Sequence, residues 1–203
     1  MNEPAVSKKN QDVFLSNLRQ KTGASHVQLE ENYYSKAILD SSVTLANYQT
    51  YIARLYGVVS ACENNIFPSL SLLIPDLDQR FKAPLIVQDL KNTGFADTGN
   101  LPTFDFEFST QAEALGIMYV IEGSTLGGRV LYKNINQSLG LDAQNGASYF
   151  WGYGQQTGQY WKTFISLFSQ YAVEENCEDE IISSAIQTFD AIDNWLSHAK
   201  IVI

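Results

Sequence analysis

Apolar residues recur every three or four positions along almost the whole chain, and no stretch of any length alternates with the period of two that a half-buried strand needs. Val13, Phe14 and Leu18, then His26, Leu29, Tyr33 and Ala37, make residues 10–39 mostly helical, with Gly23 the expected bend or break. Tyr48, Tyr51, Ile52, Leu55, Val58, Val59, Cys62 and Ile66 form a long buried stripe over 44–66, punctuated by Pro68 and Pro75. A short helix is predicted over 83–92, closing at Gly94, and residues 95–108 read as loop. Thr110-Gln-Ala-Glu113 is a capping box that starts the next helix, which runs to Leu139 and stops at Gly140. A loop over 141–154 leads to a helix from about 156 to 172, and a last amphipathic helix covers 179–198 through Ile182, Ala185, Phe189, Ile192 and Leu196. The chain reads as one all-α domain over 12–203 behind a disordered or loosely ordered N-terminus at 1–11.

Composition narrows the class of function. A net charge of −9 argues against a general binder of nucleic acid or anionic membrane, which needs a basic face. No apolar run approaches the roughly 20 residues of a membrane span, and the polar start, Met1–Asp12, is no signal peptide. Cys62 and Cys177 are too few and too isolated for a disulfide framework or a thiolate metal cage. A cytoplasmic protein is expected.

Within the helix that starts at Thr110 stand Gly123, Gly127 and Gly128, although each glycine in a helix interior costs about 1 kcal/mol relative to alanine. Two physical reasons justify such a run: close packing against another helix, or a planar ligand lying flat against the backbone. His26 is equally two-sided. It shares the apolar face of the first helix with Leu29 and Tyr33, which suits a hydrogen-bonded core histidine or an axial ligand to haem iron. Zinc is disfavoured, because no second ligand stands at metal-motif spacing, whereas haem asks the protein for a single nitrogen. His198, at the end of the last helix, reads as a solvated or C-capping residue.

Two motifs resemble a known family. Thr22-x-x-x-His26-x-x-Leu29-Glu30 is similar to the proximal-helix motif of haem oxygenases, and Glu122-Gly-Ser-Thr-Leu-Gly-Gly-Arg129 to their distal glycine motif. The string around Tyr149-Phe150-Trp151-Gly152-Tyr153-Gly154, followed by Trp161-Lys162, adds to the likeness, which is closest to the bacteriophytochrome-associated branch. The resemblance implies a multihelical bundle holding haem between a proximal and a kinked distal helix. It implies O2- and reductant-dependent opening of haem to biliverdin, with release of CO and Fe2+. Haem would be substrate and prosthetic group at once, with ferredoxin or ascorbate as electron donor and a bacteriophytochrome as a possible acceptor of the product. His26 would be the proximal ligand, its other nitrogen facing Glu30. Gly123, Ser124, Gly127 and Gly128 would form the distal wall, with Tyr119 beside them. Arg19, Lys162 and Arg129 match basic positions for the propionates. Another basic position of the family falls on Gly23, with Lys21 its neighbour. Many members carry aspartate where this chain has Ser124, and a hydroxyl cannot carry that charge. A second reading therefore stands beside the enzyme: a non-catalytic haem or biliverdin carrier of the same fold. Di-iron chemistry, which needs paired Glu-x-x-His motifs, and thiaminase-type chemistry, which needs a partnered nucleophilic cysteine, find no support in the sequence.

Overall fold

The computed structural model describes residues 7–200. Nine α-helices occur among them: α1 (Lys8–Glu31), α2 (Tyr33–Leu39), α3 (Leu45–Ala61), α4 (Phe67–Leu70), α5 (Ala83–Asn92), α6 (Gln111–Leu139), α7 (Ser148–Trp151), α8 (Thr157–Glu174) and α9 (Glu178–His198). A π-helical turn, Cys62–Ile66, joins α3 to α4, and no strand forms among the described residues. Residues 95–108 are irregular, as their composition predicts. The architecture is the expected all-α bundle.

The long helices set the frame. α6 lies along α9, α9 packs on α1, and α8 packs on α1 and α6. Leu18, Met118, Phe164, Phe168 and Ile181 are fully buried where these helices meet. One glycine allows the close approach of α6 to α9: a methyl built on Gly116 would fall 2.6 Å from Ile181 O and from Ser184 Cβ. Thr110 caps α6 by accepting the Glu113 amide at 3.1 Å, as the capping motif requires. Gly140 ends the helix with φ of 69°. The helix stays continuous across Gly123, Gly127 and Gly128.

The first helix departs from expectation in two ways. It begins at Lys8, inside the stretch expected to be loosely ordered; residues 1–6 lie outside the described residues. It then passes through Gly23 unbroken, and the chain turns at Asn32 instead. Asn32 Oδ1 accepts the Tyr34 amide at 3.0 Å and so caps α2. Its Nδ2 donates to Asp193 Oδ1 at 2.7 Å and Ser197 Oγ at 2.9 Å, both on α9. The side chain thus satisfies a helix start and ties it to the bundle, which a glycine cannot do. The turn carries Tyr33 outward, 71% exposed, away from the apolar face assigned to it.

Candidate functional site

A cavity of about 760 Å3 opens between α1 and the glycine segment of α6, within the range of small-molecule sites. From α1 come Arg19, His26 and Glu30; from α6 come Tyr119, Gly123, Ser124, Gly127 and Gly128. The His26 side chain is 54% exposed at this opening. The ring stands edge-on to Phe189, with centroids 5.4 Å apart. Its Nδ1 lies 3.6 Å from Glu30 Oε2, longer than a hydrogen bond, and Nε2 is left for a ligand.

The glycines divide cleanly by what surrounds them. A methyl on Gly127 would meet nothing within 4 Å, and one on Gly123 would touch only the Trp161 ring, at 3.7 Å. On Gly128 it would sit 3.4 Å from Phe150 O. Helix packing therefore explains Gly116 and does not explain Gly127. The bare backbone faces the cavity.

At the inner end the π turn brings Cys62 and Glu63 to the cavity, beside Arg80 and Lys82 from the segment before α5. These groups belong to a buried ionic cluster. Arg80, 0% exposed, forks onto Asp76 at 2.9 and 2.8 Å and donates to Glu122 Oε2 at 2.5 Å. Lys82 Nζ reaches Glu122 Oε1 at 3.1 Å, Arg80 O at 3.1 Å and the Tyr153 hydroxyl at 2.5 Å. Tyr153 in turn donates to Glu122, at 2.8 Å to Oε1. Glu122 is only 1% exposed, so its charge is held by partners alone. Burial, reinforced by the Glu122 charge, pushes the Tyr153 phenol far up and keeps it a donor. Burial raises Glu63 as well, against the Lys82 and Ala83 amides that hold its Oε1. Cys62 is raised too, by burial first and then by Glu122 and Glu63, and stays a neutral thiol.

A sequence profile described as Heme oxygenase matches residues 12–70 and 105–198, well over half of the chain. The chain belongs to the haem oxygenase family. No curated protein matches it significantly. Among solved structures it is similar to the NO- and CO-bound haem oxygenase of Neisseria meningitidis, at 24% identity and a TM-score of 0.73, covering 90% of this chain and 89% of that one. Haem oxygenase from Leptospira interrogans gives 16% identity and 0.73, with 91% and 98% covered. Haem oxygenase-1 of the cyanobacterium Synechocystis sp. PCC 6803, in complex with haem, gives 17% and 0.70, with 91% and 90% covered. At these identities the likeness establishes the fold.

Within this haem oxygenase fold the basic residues separate. Arg19 lines the cavity. Arg129 does not: its Nη1 donates to Gly154 O at 2.8 Å, and its guanidinium lies 5.9 Å from the Trp151 ring centroid. Lys162 is exposed on α8 and outside the lining, while Trp161 beside it faces in. Lys21 is engaged with Asp179 at 2.9 Å. Tyr119 lines the cavity, stacked on Phe168 with centroids 5.5 Å apart. Burial raises its phenol, opposed by the Arg19 charge. Ser124 Oγ donates to Ile121 O at 2.7 Å, one turn back along its own helix. His198 Nδ1 lies 2.8 Å from Asn194 O at the exposed end of α9, clear of the cavity.

Sequence reasoning missed the inner cluster. Glu122 stood in the distal motif without a role, and Arg80 and Lys82 lie in a stretch with no helical period. The readable signal was a glutamate within an apolar helix, a position that requires a buried cation.

Proposed function

We propose that this chain is a haem oxygenase in activity as well as in family: it opens haem to biliverdin, releasing CO and Fe2+, at the expense of O2 and an external reductant such as ferredoxin or ascorbate. The observation that carries the proposal is that His26 and the bare backbone of Gly123 and Gly127 line one cavity from two different helices. A single histidine nitrogen facing a wall without Cβ atoms suits a porphyrin, which brings its own four nitrogens. The haem, as substrate, supplies the iron that binds and activates O2.

The protein supplies placement. His26 would bind the iron through Nε2, with Glu30 near Nδ1 to orient the ring. Arg19 would pair a propionate at the mouth and so fix rotation of the substrate in its plane. Gly123 and Gly127 would let the α6 backbone approach the open face, steering oxygen toward a meso carbon. Gly128 backs this wall against Phe150. Tyr119 and Trp161 would flank the macrocycle. A cytoplasmic setting, with a bacteriophytochrome as biliverdin acceptor, completes the reading.

The carrier reading draws on one observation, the engagement of Ser124 with its own helix backbone, which leaves the distal motif without a charged group. Addition of ascorbate or a ferredoxin system to the hemin complex in air separates the two. Loss of the Soret band with growth of red absorbance supports the enzyme; a stable ferrous–oxy spectrum supports the carrier.

A further inference from the structure

Two carboxylates line the cavity, and they serve opposite walls. Glu30 belongs to α1 and lies beside His26. Glu63 belongs to the π turn, which packs against α6, the glycine wall. Cys62 and Glu63 are both buried within this π turn, and such turns recur at functional sites.

Glu63 is held without being used up. It is 6% exposed, and Oε1 accepts the amides of Lys82 and Ala83, at 2.5 and 2.9 Å. Oε2 takes no hydrogen bond from any described residue. It is an accessible acceptor oxygen without a protein partner, on a residue that lines the cavity. The end of the cavity lined by Glu63, Arg80 and Lys82 is polar and roomy enough to hold a water as the partner of that oxygen.

We infer that Glu63 supplies the carboxylate that position 124 lacks: its Oε2 positions a water on the glycine side of the cavity, through which protons reach the substrate. The inference rests on the haem oxygenase reading and adds the residue that organises the distal water. Ser124 gives its hydroxyl proton to Ile121 O and can then only accept from a water, without the charge of a carboxylate. Glu63 therefore acts as a positioning residue. Its surroundings suit the task. Lys82 and Arg80 stand on the strand of chain before α5, Glu122 on α6, and the Tyr51 and Tyr149 phenols on α3 and α7; Cys62 precedes Glu63 on the turn itself. Lys82 and Arg80 are neutralised by Glu122 and Asp76, so neither cation is free to take over the Glu63 oxygen. The phenols and the thiol remain protonated, because burial raises all three.

The test is Glu63→Gln, whose amide oxygen can still accept both backbone N–H groups and so preserve the start of α5. Hemin is bound to wild type and variant, and the visible spectrum is titrated with base to find the midpoint at which the iron-bound water ionises. A carboxylate accepting that water's hydrogen bond opposes its ionisation. The midpoint should fall in E63Q by about half a pH unit or more, a threefold shift in the equilibrium. Hemin affinity should stay within about twofold, and ascorbate-supported turnover should drop by about tenfold, the lower end for loss of a proton-transfer group. Glu63→Asp, which keeps the charge and withdraws the free oxygen, serves if the amide variant does not fold, with the same downward shift expected. An unmoved or rising midpoint overturns the inference whatever turnover does, and leaves Glu63 as the cap of α5. A wild-type protein that binds no hemin overturns the haem reading first and the inference with it.

Discussion

Replacing Gly123 and Gly127 together by alanine should make the protein more stable and a poorer binder of hemin. Both glycines lie inside α6, where alanine is favoured by about 0.8–1.0 kcal/mol per site. The new methyl at 127 would meet nothing within 4 Å, and at 123 it would rest on the Trp161 ring at 3.7 Å, an ordinary contact. No packing term opposes the helix term, so the pair should gain roughly 1.6–2 kcal/mol. In a domain of this size that corresponds to a rise in melting temperature of about 3–8 °C, read by circular dichroism without ligand. The same methyls occupy the wall that a planar ligand would lie against, so hemin affinity should fall by about tenfold or more, a loss of about 1.4 kcal/mol. Gly116→Ala is the control. Its methyl would fall 2.6 Å from Ile181 O, so it should destabilise the protein by about 1–3 kcal/mol through overpacking of α6 on α9. Equal losses of stability at 116 and at 123/127 would return the distal glycines to simple helix packing. Unchanged hemin affinity in the double variant would show that no ligand lies against them.

Further substitutions probe three separate parts of the account. His26→Ala should abolish the histidine-ligated hemin spectrum, while Gly127→Leu should block hemin uptake with helical circular dichroism intact; an unchanged His26→Ala spectrum refutes the ligand assignment. Glu122→Leu leaves Arg80 and Lys82 buried without their shared counter-ion and should cost about 3–5 kcal/mol by chemical denaturation. Adding Lys82→Met should recover part of that, with a coupling of roughly 1–3 kcal/mol; strict additivity would show that the cluster does not act as a unit. Burial raises Glu63 above its ordinary value of 4.5, so its contribution to stability is fully present below that value and is lost as pH rises through the folded-state value. Glu63→Gln should therefore gain stability relative to wild type over that window, and denaturation at matched pH should show the difference growing upward; a flat difference removes the shift.

The long helices were legible because each has an unambiguous period and a chemical start or stop. α6 is the clearest case, framed by Thr110 and Gly140 and filled with apolar residues at helical spacing. The break in the first helix falls at Asn32 and not at Gly23, because a glycine marks where a helix can end and not where it must. Gly23 has open space around it and the helix simply continues, whereas Asn32 finds partners on α9 that no local pattern reveals. The cavity residues His26, Glu30, Tyr119 and the three glycines were readable from motif and face. Arg129 and Lys162 were not, since a long basic side chain near a pocket can turn either way, and Gly154 O takes the first. The π turn escaped because its period is neither that of a helix nor that of a strand. Arg80, Lys82 and Glu122 meet across about 40 residues of sequence separation, which no spacing rule addresses.

The most direct measurement is a single turnover: purified protein loaded with one equivalent of hemin, reduced with ascorbate in air, with released CO trapped and the pigment resolved by chromatography. The account predicts equimolar CO and biliverdin, and neither product from Gly127→Leu. A stable ferrous–oxy complex that releases no CO would contradict it.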